Sequence, residues 1–179
     1  MSSSHKKVIV RRFTGDTLPG YLPLSTFVRN KSIDLLDLTG RVIPLPLSDI
    51  KHVCYVRDFN LNDPANPERL TRRTFLARPR TEGLWLRLTF RSGDLLEGLA
   101  STDATLLDDL IADTGLQLTP PDTRSNTQRI FVPRTAITDL QLIAVITSPS
   151  RRKPLPAASV PSLQEDLFKI DLPPNTRPN

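Results

Sequence analysis

Val8-Ile9-Val10-Arg11-Arg12-Phe13-Thr14-Gly15-Asp16-Thr17-Leu18-Pro19-Gly20 is answered, in the middle of the chain, by Leu86-Arg87-Leu88-Thr89-Phe90-Arg91-Ser92-Gly93-Asp94-Leu95-Leu96-Glu97-Gly98. Each stretch is an alternating apolar run, a Gly-Asp pair and a second glycine two residues past the next leucine. Period-two alternation marks a half-buried strand. Gly-Asp supplies a tight turn in which positive φ is tolerated. A glycine inside the following strand marks a bulge or a sharp bend, the device that curls a short sheet. A second pair of blocks follows in the same order: Val42-Ile43-Pro44-Leu45-Pro46-Leu47-Ser48-Asp49-Ile50 and Arg129-Ile130-Phe131-Val132-Pro133-Arg134-Thr135-Ala136-Ile137. The ordered pair identifies a duplicated β unit.

Each unit closes on an alternating run, Ile50-Lys51-His52-Val53-Cys54-Tyr55-Val56 and Ile137-Thr138-Asp139-Leu140-Gln141-Leu142-Ile143. The middles differ. In the second unit Thr102 or Asp103 caps a short helix through about Thr114, with Leu106, Leu107, Leu110 and Ile111 as its apolar stripe and Asp108, Asp109 and Asp113 as its wet face. The first unit has only a strand-like run at Ile33-Asp34-Leu35-Leu36-Asp37-Leu38 and lacks the loop at 120–128. The expected organisation is mainly β: small bent barrels at 6–59 and 84–147, a basic linker at 60–83 with an extended segment at 74–77, and a proline-rich disordered tail at 148–179. Within the tail, Ser162-Leu163-Gln164-Glu165 matches a capping box, and Leu163, Leu167 and Ile170 fall on one helical face.

Composition narrows the class. The 179 residues carry 38% hydrophobic side chains and 17 prolines, so only part of the length lies in core. A net charge of +5 is compatible with an anionic partner without requiring one. The lone cysteine, Cys54, excludes an internal disulfide. No apolar run approaches the roughly twenty residues a membrane helix needs, and none of signal-peptide length follows the basic N-terminal residues. A cytoplasmic location is the expectation.

The pattern of strand, Gly-Asp turn, Leu-x-Gly and a later strand ending in a short apolar alternation resembles the Sm-like fold, the bent five-stranded barrel of the Sm and Hfq proteins. The whole chain also looks like a bacterial family with tandem units of this kind. The Sm-like resemblance implies RNA binding through loops around the later strands, and rings in many members. Where Hfq has an aromatic-Lys-His-Ala segment, this chain has Val132-Pro133-Arg134-Thr135-Ala136 and Leu45-Pro46-Leu47-Ser48-Asp49, without the histidine.

Four groups of residues are candidates for chemistry. Arg69, Arg72, Arg73, Arg78 and Arg80, continued by Arg87 and Arg91, can neutralise phosphates, or can pair with the acidic residues of 94–113, a stretch without Lys or Arg. Arg124, Asn126, Gln128, Arg129 and Arg134 combine amides with guanidiniums, a mixture suited to nucleotide or phosphate recognition; a surface hairpin loop has the same composition. His52 and Cys54 share one strand face, but a zinc site needs three or four ligands, and the only other histidine is His5. Asp16 and Asp94 occupy equivalent turns, a mark of turn chemistry. No phosphate-binding glycine loop occurs, and with two histidines there is little from which to build a triad. Catalytic residues, metal and cofactor are therefore not expected. The expected function is non-catalytic binding or adaptor work with a protein or RNA partner and no membrane, the oligomeric state open. The alternative is an RNA-binding regulator using Arg72, Arg73, Arg78 and the arginines of the second-unit loop. A cyclic-dinucleotide receptor of the PilZ kind lacks its paired-arginine and Asp-x-Ser-x-x-Gly motifs here.

Overall fold

The structure, a computed structural model, describes residues 5–122 and 124–147. The expected tail and its helix at 162–170 lie outside the described residues. The first half contains β1 (Lys6–Arg12), β2 (Thr17–Leu22), the short β3 (Val28–Arg29), β4 (Ser32–Asp37), β5 (Val42–Pro46) and β6 (Ile50–Val56). The second contains β7 (Gly83–Phe90), β8 (Leu95–Ala100), helix α1 (Ala104–Ala112), β9 (Gly115–Leu118), β10 (Thr127–Pro133), a single 3-10 turn at Arg134–Ala136 and β11 (Ile137–Ile146). The protein is mainly β, in two open antiparallel sheets. No described helix is long and apolar enough to cross a membrane.

The duplication extends to the register of the ladders. β1 pairs with β2 through Val8↔Gly20, and β7 with β8 through Leu86↔Gly98. β1 meets β6 through Val8↔Tyr55 and Arg12↔Ile50; β7 meets β11 through Leu86↔Leu142 and Phe90↔Ile137, and both ladders slip just before the last pair. Ser32↔Pro46 of β4–β5 becomes Gly115↔Pro133 of β9–β10. Tyr21↔Leu36 of β2–β4 becomes the isolated bridge Leu99↔Thr119, which ties the second sheet to the first. Both Gly-Asp turns close alike, with Arg12 N–H bonding to the Asp16 carbonyl at 3.0 Å and Phe90 N–H to that of Asp94 at 2.8 Å. Gly15 and Gly93 carry the positive φ, +96° and +83°, that the turns demand.

Closed barrels were expected, and the sheets are open. The last strand of the first half pairs outward: β6 joins β10 of the second half through Cys54↔Ile130 and Val53↔Phe131. That pairing makes β1, β6 and β10 a wall between two cores. Val8, Val10, Val53, Tyr55 and Phe131 face the core of the first half, with Leu22, Ile33 and Leu35. Ile9, Cys54, Val56, Ile130 and Val132 face the core of the second, with Leu88, Leu96 and Leu118. Consecutive apolar residues in β1 and β6 are thus buried on both faces, as in any internal strand.

Three expectations need correction. Gly20 and Gly98 sit in unbroken register, so neither marks a bulge. They admit close neighbours instead, since a Cβ would lie 2.6 Å from the Leu36 carbonyl oxygen at Gly20 and 2.8 Å from Leu118 Cβ at Gly98. The stripe of α1 is mostly outside: Leu106 packs on the second core, whereas Leu107, Leu110 and Ile111 are exposed. Asp109 of its wet face is half-buried and takes a hydrogen bond from the backbone of Gln117; burial raises its carboxyl above the usual value. Residues 74–77 form bends instead of a strand, but Glu97 N–H reaches the Arg73 carbonyl at 2.7 Å and holds this segment against β8.

Candidate functional site

The two Gly-Asp turns meet at one cavity of about 320 Å³. β1 and its turn supply Arg11, Arg12, Phe13 and Gly15, and β6 supplies Lys51 and His52. From the second half come Phe90, Ser92, Leu95 and Leu96, while residues of the 60–83 segment, including Glu68, Leu70 and Arg73, complete the lining. Contacts between the halves hold this arrangement. The Arg91 guanidinium lies 3.8 Å over the ring of Phe13 and donates to the Ser48 carbonyl at 2.5 Å. Lys51 Nζ bonds to Asp94, which Arg73 also meets at 3.1 Å. Hydrogen bonds from Lys51 and Ser92 hold the Asp94 carboxyl down to about 2.

Glu68 is the centre of the site. It is 4% exposed, although it lies in a segment rich in arginine. Its Oε1 accepts from Arg11 Nε at 2.8 Å and lies 2.6 Å from Arg11 Nη2, and Thr127 Oγ1 donates to its backbone carbonyl at 2.7 Å. His52 Nε2 stands 3.9 Å from Oε1, too far for a hydrogen bond. Burial pushes the imidazole below its usual value against the opposing pull of this carboxylate. Burial also works to raise the Glu68 carboxyl, but its own backbone N–H and Arg11 act against it and the net displacement is downward. The ring is therefore neutral and the carboxylate ionised near neutral pH.

Among the described residues five buried side-chain polar atoms have no hydrogen-bond partner, and four belong to residues lining this cavity: Arg12 Nε, both His52 nitrogens and Glu68 Oε2. Leaving such an atom unpaired costs about 1–3 kcal/mol, so buried polar groups in proteins are nearly always satisfied, by protein, water or ligand. Each of these atoms exposes less than 1 Å² and so lies behind the cavity wall.

The residues singled out from sequence are scattered. Arg124 and Asn126 border an open cleft of about 450 Å³ with Arg57, Asn60 and Arg69. Asn126 acts there as a clamp, its Nδ2 donating to the carbonyls of Asp58 and Pro67 at 2.7 and 2.9 Å. Arg129 bonds to Gln117 at 3.1 Å across β9–β10, Gln128 is exposed beside it, and Arg134 stands 3.7 Å from Asp113. Arg72 and Arg78 are exposed; Arg73 alone of that trio reaches the cavity. Pairing with the acidic stretch is found at Arg73–Asp94 and at Arg87–Glu97, 2.7 Å. Glu97, 2% exposed, also accepts from Trp85 Nε1 at 3.1 Å and Phe75 N–H at 2.9 Å. Cys54 is buried in the second core, and burial drives its thiol upward. No group of three or more His, Cys, Asp or Glu among the described residues is placed to hold a metal ion.

Residues 4–144 match a family of unknown function, DUF6982. The chain belongs to that family. No curated protein and no solved structure matches it. The DUF6982 match spans both halves and the segment between them, and so takes in every residue that lines the cavity. Sequence reasoning missed Glu68, whose one signal was a lone carboxylate between Pro67 and Arg69 in a cationic run.

Proposed function

We propose that this protein is a non-catalytic binding protein, two Sm-like units fused edge to edge through β6 and β10, with its ligand in the cavity between the Gly-Asp turns. The observation that carries the reading is the cavity of about 320 Å³ itself, walled jointly by the two halves and the 60–83 segment and lined by apolar side chains beside Arg11, Lys51, Glu68 and Arg73. The volume lies at the small end of the range of about 300–1,000 Å³ usual for ligand pockets, so the ligand is a small molecule or one unit of a larger one. The Sm-like part is supported by five main strands in each half, joined in one repeated order, with a tightly packed glycine in the second strand of each. The non-catalytic part is supported by the lining itself. Its only hydroxyl side chain, Ser92, donates to Asp94 and not to His52, so nucleophile and base are not coupled.

Ala65, exposed on the segment over the cavity, offers the test. Ala65→Trp fills the space from outside without touching either core. A thermal-shift panel of small polar metabolites is expected to contain a compound that raises the Tm of wild type in proportion to concentration and leaves Ala65→Trp unmoved. A panel without effect at millimolar concentration rejects the reading.

RNA binding stands second, favoured by the cleft that gathers Arg57, Arg69 and Arg124. Affinity for single-stranded RNA would then fall steeply with salt, and each arginine changed to Gln would lower the slope by about 0.7 for every phosphate it no longer neutralises. A protein that ignores RNA at low salt removes this reading.

A further inference from the structure

We infer that β11 is an assembly edge, along which two copies of this chain pair antiparallel about a twofold axis, whatever the cavity holds. The internal repeat shows what such an edge does. β6 and β11 are counterparts: Val10↔Val53 and Val8↔Tyr55 of the first half become Leu88↔Leu140 and Leu86↔Leu142 of the second. Val53, Cys54 and Tyr55 take β10 on their far edge, through Phe131, Ile130 and Arg129. Their counterparts Leu140, Gln141 and Leu142 meet β7 on one side, and on the other β11 ends its sheet, with no described strand beside it. Exposure follows the pairing. Val53 and Tyr55 are 0% and 3% exposed, whereas Leu140 and Leu142 are 46% and 52% exposed. The slips in the β11 ladder do not bar a second partner, because β6 carries one against β1 and still takes β10.

Edge strands of soluble proteins are blunted by Lys, by Pro or by shortness. β11 has ten residues, none of them Lys, Arg or Pro, and Asp139 is its one charge. Beside it α1 exposes Leu107, Leu110 and Ile111, and Leu110 and Leu140 line a single groove of about 290 Å³. The strand edge and the apolar helix face therefore adjoin, and an apolar surface of this kind marks an interaction site. The helix matters to the size of the interface, since a stable one buries roughly 1,200 Å² or more, beyond the reach of one strand pair.

The partner must bring an unguarded strand edge of its own. Among the described residues the other sheet ends are short, guarded or engaged. β3 has two residues, β5 carries Pro44 and Pro46, and β8 and β9 are tied to each other through Leu99↔Thr119. Pro44 stands in β5 where Phe131 stands in β10, without an N–H to give, so a head-to-tail repetition of the β6–β10 join lacks its central donor. The edge that matches β11 is β11 of a second copy, an isologous contact that closes on itself. A twofold axis anywhere from Leu140 to Ile143 sets each Asp139 opposite an uncharged residue, so no like charges face.

Sedimentation of the full chain from about 1 to 100 μM tests this, with Leu142→Lys on the edge and Val42→Lys on β5 as variants. Wild type and Val42→Lys are expected to dimerise with a Kd on the order of micromolar. Leu142→Lys should weaken the dimer about tenfold or more with its far-UV circular dichroism unchanged. Amide hydrogen exchange across 139–145 of wild type should slow as concentration rises, a readout that needs no variant. Exchange that ignores concentration, or a chain still monomeric at the highest concentration, overturns the inference. So does a dimer that Leu142→Lys leaves intact. Rings or filaments, or loss of assembly on Val42→Lys, would place β5 in the interface and overturn the twofold pairing.

Discussion

At the scale of single residues, His52 shows how burial decides chemistry. Its ring is almost wholly enclosed, touches Phe90 at a centroid distance of 6.0 Å and has Glu68, Arg11 and Lys51 around it. Because its folded value lies below the ordinary 6.5, the unfolded chain takes up a proton first as pH falls. The stabilisation is complete above about pH 6.5 and is lost as pH drops through the lower folded value. The Tm of wild type should therefore fall between pH 7 and 5.5, and that of His52→Gln should change much less; parallel curves would refute the assignment. Histidine and its strand were legible in the sequence, because alternation around Ile50–Val56 places it. Its partner was not. Glu68 reaches His52 across sixteen positions of irregular chain, and neither periodicity nor turn chemistry reports on a contact of that kind.

Among the elements, the paired glycines separate two uses of one residue. At Gly93 the cost of a side chain is conformational, because φ is +83° and nothing lies within 4 Å of an added Cβ. At Gly98 it is steric, with Leu118 Cβ at 2.8 Å and the Thr119 carbonyl oxygen at 3.2 Å. Gly93→Ala should cost about 1 kcal/mol, and Gly98→Ala about 1–3 kcal/mol because the facing strand must give way. Urea unfolding of both variants measures the difference, and the reverse order would contradict the packing. Strand edges carry a similar contrast. Where β10 has Phe131, paired with Val53 of β6, the equivalent position in β5 is Pro44, facing Asp34 as Phe131 faces Gln117. Pro44 and Pro46 have no N–H to offer a further strand, so β5 is guarded where β10 is used. The strands were readable from alternation and the turns from Gly-Asp. The outward faces of Leu107, Leu110 and Ile111 were not, since a helix of nine residues shows its stripe without showing what it meets.

For the whole molecule, the repeat announced two bodies and the structure shows an interlock. Phe131 belongs to β10 of the second half but fills the core of the first, at 4.9 Å centroid distance from Phe27. Duplication could be read from spaced motifs, whereas the β6–β10 pairing could not, because edge-to-edge joining leaves no local pattern. Shared strands predict one cooperative transition: the fluorescence of Trp85, in the second half, and the far-UV circular dichroism of the whole should melt together. Separate midpoints would mean that the halves are independent. The same interlock brings the two Gly-Asp turns together and so creates the cavity on which the functional reading depends. A crystal of the wild-type protein soaked with the compound that raises its Tm most examines that reading most directly. Difference density for that compound in the cavity lined by Phe13, Lys51 and Phe90 is the predicted result. A cavity holding only separate water peaks at a saturating concentration would contradict it.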